Sequence, residues 1–537
     1  MTAQPRTDPR ADDLRRALTG LLGAEAVLID ESLRRFNSAD IYAEGPTAAL
    51  VIRPADAEGL AAAVATVTDA GYGVIGRGGG TSYTGGLLPD REATVVIDTG
   101  ALDRIVEIDQ EDMVVSVDAG VTWEALHVAL KDTAVQVPFR GPLSGARATI
   151  GGSLSQNAIL WGSGVHGVSA ESVLSLQVAL ADGTLLETGS ASVGAKPFFR
   201  QYGPDLTGLF LGDSGALGIK TRAVLRLMRR PGALRFASFN FDGRRKLCRA
   251  MTSLAREGVA ATCFGMDPML QYQRIRRASV SQGVSALKGV IGAADDTFSG
   301  IRRAMRIAVG GRRFIDENGY SLHLVIEAED QGSADAKLES ARRICLAEGT
   351  DIGSAVPTML HGAPFVPMTS AIGPEGERWA PMHGLFALSD ADEAWERIEA
   401  LIDDHAARFD RLGIVAGVLL ATVSTTTFVI EPVFYWPGPR TVWYEHVLSS
   451  AERAKFRDFP ADPEVDAAVE EMRERLNRLF DDLGAAHLQI GKEYHYRERL
   501  GKVPAALLTA IKQAVDPKGL MNPGALGFPR HAPEDIL

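Results

Sequence analysis

The sequence predicts an α+β protein of more than one domain, and three observations carry that expectation. A chain of 537 residues exceeds what one hydrophobic core organises, since single cores stop growing near ~250 residues. Residues 14–230 alternate short β-branched runs with helical periodicity around clusters of glycine, whereas residues 231–475 lose those clusters and show longer helices and strands. Residues 476–537 return to Gly and Pro punctuation, with polar side chains that an inert tail would not need.

Along the chain, helical spacing from Asp56 to Ala70 leads into a strand at Gly73 to Ile75, a glycine-rich stretch, and a strand from Thr94 to Ile97. A strand from Met113 to Val117 precedes a helix from Trp123 to Lys131, and Val173 to Leu180 and Gly218 to Leu227 read as further strands. In the second part, Asp390 to Arg408 reads as one helix, Val415 to Phe434 as a strand pair, and Glu464 to Leu483 as a long amphipathic helix. The charge-free run from Gly413 to Ile430 is about long enough to span a bilayer. Its Thr and Val content, with Ser424 to Thr427 in the middle, fits two strands and a turn instead, so no transmembrane segment is expected.

Composition narrows the function classes. A net charge of −12 with no basic run argues against a nucleic-acid partner. Cys248, Cys263 and Cys345 share no metal-ligand or redox spacing and read as buried reduced thiols, which suits a reducing compartment. No metal site is expected. Met1 to Arg16 has no apolar core of the kind a signal peptide needs, and a cytoplasmic protein is the expectation.

The chemistry sits in the glycine clusters. Gly76 to Gly86 follows a strand, and its consecutive glycines let the backbone approach a ligand closely while their N–H groups converge on an anion. Thr81, Ser82 and Thr84 add hydroxyl donors. The spacing fits neither the Rossmann fingerprint nor the P-loop, so neither a nicotinamide nor a nucleoside triphosphate follows from it. Two further sites, Ala148 to Ser153 and Leu209 to Thr221, suggest with the first one long ligand having a diphosphate and flat rings.

These residues resemble a known family. The order R-G-G-G-T-S-x-x-G-G, V-V-I-D, A-T-I-G-G, A-D-G-x-x-x-x-T-G, G-x-D-L-T-G-L-F-x-G-x-x-G-x-L-G-I and D-P-K-G-L-M-N-P-G is similar to that of the FAD-linked oxidases of the vanillyl-alcohol oxidase and p-cresol methylhydroxylase (PCMH-type) superfamily. The resemblance implies a two-part α+β FAD-binding domain, residues 14–230, interrupted by an α+β cap domain, 231–475, with residues 476–537 returning to the FAD domain. It implies that Arg77, Gly78, Gly79, Gly80, Thr81, Ser82, Gly85 and Gly86 hold the FAD diphosphate. Pro142, Thr149, Gly151, Gly152 and Ser153 would line the flavin and ribityl chain, Gly162, Gly164 and Val165 would run along the flavin, and Gly212, Gly215 and Ile219 would take the adenine side. Asn522 belongs to the closing motif. The histidine that some members carry near Thr81 for covalent attachment is absent here, as is the paired cysteine, so noncovalent FAD is expected, with His166 or a cap residue the remaining route to a covalent bond.

Oxidation by a flavin needs a group that takes the substrate proton and donors that fix the substrate. The polar stretch His487 to Arg497 is the densest source of such groups, with alternation placing His487, Gln489 and some of Lys492, Tyr494 and Tyr496 on one face. Tyr494, Arg497, His487 and, in the cap, His383 are the expected catalytic residues. The aromatic stretches Trp379 to Gly384 and Glu431 to Trp436 are expected pocket walls. Gly491-x-x-Tyr494-x-Tyr496-Arg497 and Trp379-Ala380-Pro381 resemble the phenol-oxidising members, which points to a para-substituted phenol or aryl alcohol. A D-2-hydroxy acid is the alternative, although the E-H-G-I-G and paired-histidine metal motifs usual in those members are missing. A flavin-binding protein without oxidase activity is a further reading. Oxygen, a cytochrome c or a quinone would serve as electron acceptor, and homo-oligomerisation is left open.

Overall fold

Two main sheets, with a two-stranded ribbon of Val135–Gln136 and Met228–Arg229, form from the first 230 residues in the computed structural model, which describes residues 9–277 and 319–530. Residues 1–8 of the polar N-terminal stretch lie outside the described residues. In the first sheet Leu50–Ile52 and Gly73–Arg77 pair in parallel with the central strand Thr94–Asp98, and Val27–Leu28 adds an antiparallel edge. The helix Ala57–Asp69 makes the crossover, started by Asp56, whose carboxylate accepts from the Gly59 N–H. A parallel sheet covered on both faces needs continuous apolar strands, and Val95, Val96 and Ile97 are fully buried. The second sheet is antiparallel in the order Ile105–Asp109, Val114–Asp118, Ile219–Arg226, Val173–Ala179, Leu185–Glu187.

The cap is one larger antiparallel sheet, running through Thr350–Gly353, Ala233–Phe241, Tyr320–Ala328, Thr262–Met266, Val415–Val423, Thr427–Trp436 and Arg378–Pro381, with Gly384–Ala387 also paired to Thr427–Trp436. The charge-free run is therefore a hairpin, turning at Ser424. Its period-2 alternation sorts the side chains: Phe428, Ile430 and Phe434 enter a core with Leu247, Trp395 and Val469 from the covering helices, while Val429 and Glu431 point the other way, towards the first domain. Among the described residues, no helix is long and apolar enough to cross a membrane.

Two expectations need correction. The helix read from Asp390 to Arg408 is two helices, Ala391–Asp403 and Ala406–Leu412, separated at Asp404 and His405, because the chain must turn to keep Phe409 and Leu412 buried. The boundary drawn at 475 falls inside the continuous helix Pro463–Asp482, whose Val465, Val469, Met472, Leu476 and Phe480 all pack in the cap core.

The C-terminal segment does return to the first domain. Met521 bridges Val74 in parallel, with Val74 N–H donating to Leu520 O at 2.8 Å and Asn522 N–H to Val74 O at 2.8 Å. The Asn522 amide then donates to Gly86 O at 2.9 Å and Ser214 O at 2.6 Å, tying two glycine loops together. Beneath that knot lie buried ion pairs, Lys220 with Asp213 at 2.5 Å and Lys512 with Asp516 at 2.6 Å.

Candidate active site

The strand Gly73–Arg77 delivers its loop to the mouth of a cleft of about 250 Å³ between the first domain and the cap. The loop is fixed from behind. A Cβ on Gly79 would stand 1.9 Å from the Arg147 carbonyl oxygen, and one on Gly80 (φ +68°) 2.3 Å from the Arg77 guanidinium. These glycines are required by packing behind the loop. Arg147 donates to Gly79 O at 2.6 Å and Trp443 to Gly80 O at 2.7 Å. Arg77 is 2% exposed, donates to Ala39 O and lies 4.8 Å from the Phe36 ring centroid; burial pushes it down to about 10, so it remains a cation at neutral pH.

Among the described residues, no protein acceptor reaches the N–H groups of Gly79 to Tyr83. Facing them is the helix Ile150–Gln156, capped by Thr149, whose hydroxyl accepts from Gly152 N–H at 3.2 Å. A Cβ on Gly152 would touch only that hydroxyl, and one on Gly215 would touch nothing within 4 Å, so both glycines leave room on the cleft side. The side-chain amide oxygen of Gln156, Oε1, is buried without a partner at the same wall. Unpaired backbone donors beside an elongated cleft floored by bare glycine fit the diphosphate and flat rings of FAD.

At the cap end the hairpin register sets Leu419 opposite Glu431 and Ala421 opposite Val429. Trp379 pairs with Tyr435 on the adjoining strand and meets the Tyr83 ring edge-on at 5.6 Å. Burial pushes the Glu431 carboxyl up to about 7, and Arg274, from the helix Pro268–Arg277, draws it in the opposite direction. Burial, and next the Glu431 charge, hold the Tyr83 phenol well above its ordinary range, so it stays a neutral donor. Gln489 donates to the Tyr83 hydroxyl at 2.8 Å.

The cleft is lined by most of the residues read as FAD contacts: Arg77, Gly78, Gly79, Gly80, Thr81, Ser82, Gly86, Pro142, Thr149, Gly151, Gly152, Ser153, Gly215 and Ile219. Others stand elsewhere. The Gly85 N–H is taken by the Asp40 carboxylate, and Asn522 acts behind the loops. Gly162 donates to the Thr262 hydroxyl and Gly164 to Ala261 O, so this segment joins the first domain to the cap sheet, while Val165 is exposed.

None of the four expected catalytic residues is among the cleft-lining side chains. The stretch from His487 is not a strand: Gln489 (φ +45°) and Gly491 (φ +55°) take left-handed conformations, which breaks the alternation and sends successive side chains in different directions. Gln489 alone enters the cleft. Tyr494 turns to His383, whose backbone N–H donates to the phenol oxygen at 2.9 Å, and stacks on His487 at 3.9 Å. Burial pushes His383 down to about 4 and His487 to about 3, so both are neutral at physiological pH. Arg497 donates to the Thr509 hydroxyl beside Phe528. The groups that do meet at the cap end are Tyr83, Arg274, Trp379, Glu431 and Gln489. The first two went unread: Tyr83 occupies a variable position of the loop motif, and Arg274 is one of several arginines on an amphipathic helix. Glu431 carried a signal, as a lone charge in an otherwise apolar strand.

Among the described residues, no group of three His, Cys, Asp or Glu side chains is placed to hold a metal ion. The three cysteines are buried free thiols, and burial pushes Cys248 and Cys263 up to about 12.

Residues 48–189 match the FAD binding domain family, and residues 464–526 match the C-terminal domain of FAD linked oxidases. A probable mitochondrial D-lactate dehydrogenase of Danio rerio is 31% identical over 230 residues, which is 43% of this chain and 43% of that protein, so the match spans less than half of that relative. D-lactate dehydrogenase [cytochrome] 1 of Saccharomyces cerevisiae is 23% identical over 84% of this chain and 67% of its own. Among solved structures, p-cresol methylhydroxylase with substrate bound superposes with a TM-score of 0.72 at 17% identity, covering 97% of this chain and 98% of that one, a likeness of fold.

Proposed function

We propose that this chain, a member of the PCMH-type FAD-binding superfamily carrying the two domains of FAD-linked oxidases, oxidises a D-2-hydroxy acid with bound FAD as the oxidant. The observation that carries the reading is that Glu431 and Arg274 line the same cleft, near enough for the guanidinium charge to act on the carboxyl. A carboxyl near 7 is matched to removing a hydroxyl proton at neutral pH, and a guanidinium is the side chain best shaped to hold a carboxylate. The Danio and yeast relatives, both named D-lactate dehydrogenases, support the same class.

FAD, when bound, supplies the two-electron acceptor for the substrate C–H bond. The backbone donors of Gly79 to Tyr83 hold its diphosphate, and Gly152 and Gly215 give its body room. Arg274 anchors the substrate carboxylate, Glu431 takes the hydroxyl proton, and Tyr83, oriented by Gln489, donates a hydrogen bond to the substrate oxygen. Trp379, Leu419 and Val429 keep water from the reacting carbon.

A para-substituted phenol is the second reading, favoured by the edge-on pair of Tyr83 and Trp379 and by the fold shared with p-cresol methylhydroxylase. There Glu431 would take the phenolic proton. Anaerobic bleaching of the flavin separates the cases: reduction by D-2-hydroxy acids and not by 4-alkylphenols supports the main reading, and the reverse replaces it. A protein that binds flavin without catalysis would bleach with neither. The name of the yeast relative makes a cytochrome the acceptor to test before oxygen or a quinone. Cytoplasmic residence stays part of the proposal, on the three buried free thiols.

A further inference from the structure

We infer that the substrate is a 2-hydroxy acid bearing an aryl or branched apolar side chain, not lactate or glycolate. The inference rests on the hydroxy-acid reading above and deepens it. Leu419 is the direct cross-strand neighbour of Glu431, and Val429 precedes it by two residues on the same face of the strand. Such neighbours lie within about 5–7 Å at Cβ, so the proton-accepting carboxyl is framed by apolar groups on two sides. Trp379 and Met368 extend this wall, and Ala421, opposite Val429, widens it. Apart from Arg274, Ser370 and Glu431, the cap's described contribution to the cleft wall is apolar.

A site for lactate has one methyl group to cover and would be closed down by bulky side chains. Here Ala421 stands where a larger residue would close the wall, and the half-buried Trp379 and Leu419 leave apolar surface for a substrate group to cover, with the buried Val429 behind them. The oxidation balances for any such acid: R–CH(OH)–COO⁻ loses its hydroxyl proton to Glu431 and its C–H hydrogen with both bonding electrons to FAD, giving R–CO–COO⁻. The side chain R takes no part in the redox change, so it is free to set specificity. One methylene in an apolar pocket typically changes discrimination about 10- to 200-fold.

The test uses the FAD-loaded protein and compares anaerobic flavin reduction by D-3-phenyllactate, D-mandelate and D-2-hydroxyisocaproate with that by D-lactate and glycolate. The expected result is at least about tenfold higher efficiency for one or more of the larger acids. Equal or better reduction by D-lactate or glycolate overturns the inference and leaves the hydroxy-acid reading standing. If no hydroxy acid of any size bleaches the flavin, that reading falls and takes this one with it. A binding readout free of turnover accompanies it: 3-phenylpropionate should bind at least about tenfold more tightly than propionate by calorimetry, and equal affinities count against the apolar wall. Val429→Trp should cut efficiency with D-3-phenyllactate at least about tenfold more than with D-lactate, and an equal loss with both removes Val429 from the specificity wall. Should that variant not fold, Ala421→Leu gives the same comparison.

Discussion

The amide of Gln489 donates to the hydroxyl of Tyr83 across 2.8 Å, which joins the C-terminal segment to the first glycine loop inside the cleft. Gln489→Leu leaves a buried phenol without that partner, and such a loss typically costs about 1–3 kcal/mol. Flavin reduction by substrate is expected to fall about tenfold or more, with FAD content unchanged in the absorbance spectrum. Tyr83→Phe should fall at least as far if the phenol touches substrate, and an unimpaired Tyr83→Phe enzyme removes it from the reaction.

In the proposed reaction Glu431 serves as base only when ionised, and burial holds it near 7. The rate of flavin reduction is therefore expected to rise through about pH 7 and level off above it. Glu431→Gln should lose that limb and drop at least about a hundredfold, a loss within the range usual for a general base. Stability runs in the opposite direction. The folded protein binds the proton more tightly than the unfolded chain, so Glu431 costs stability increasingly from its ordinary range near 4.5 up through about 7. Above that window the Gln variant is expected to melt at a higher temperature than the wild type, and the difference should vanish at pH 4. A pH-independent difference would show that ionisation of Glu431 is not its source.

Gly79 and Gly152 both flank the cofactor cleft, but substitution should harm them differently. Gly152→Leu projects into free space, touching only the Thr149 hydroxyl at 3.1 Å, so the protein is expected to fold and to be purified colourless. Gly79→Val collides with the Arg147 carbonyl and should lose both flavin and several degrees of melting temperature. A yellow Gly152→Leu protein would place the cofactor away from this helix.

Arg497 stands outside the cleft, so Arg497→Ala is expected to reduce the flavin within about threefold of wild type. Its cost should appear as a stability loss of about 1 kcal/mol, the usual worth of a part-buried hydrogen bond. A hundredfold fall in reduction rate with unchanged stability would restore it to the reaction.

Much of the frame was legible because it depends on local rules. Parallel strands read as Val95-Val96-Ile97, the Ser424 turn interrupts an apolar run, and Asp56 opens the helix read from it, whereas the short helix Ile150–Gln156 that Thr149 caps was read only as a glycine site. The cofactor loop was legible as well, although the Cβ positions show a different reason for its glycines: they face Arg147 and Arg77 behind the loop. The cap end was harder, since it is assembled from five distant segments, which carry Tyr83, Arg274, Trp379, Glu431 and Gln489. Two left-handed residues, Gln489 and Gly491, decide that Gln489 enters the cleft while Tyr494 and Arg497 do not, and no side-chain pattern reports a backbone reversal of that kind. Arg274 is placed by the docking of its helix on the strand Val415–Val423, a tertiary fact without local signature.

The rung that Met521 adds beside Val74, with Asn522 clasping Gly86 and Ser214, has a consequence for biosynthesis. The strand it completes is made early, more than four hundred residues before its partner, so on the ribosome the cofactor loops stand without their clasp until translation has passed position 522. The clasp is thus among the later contacts to form during synthesis, and until then the Gly73–Arg77 edge of the first sheet stands without its Met521 rung.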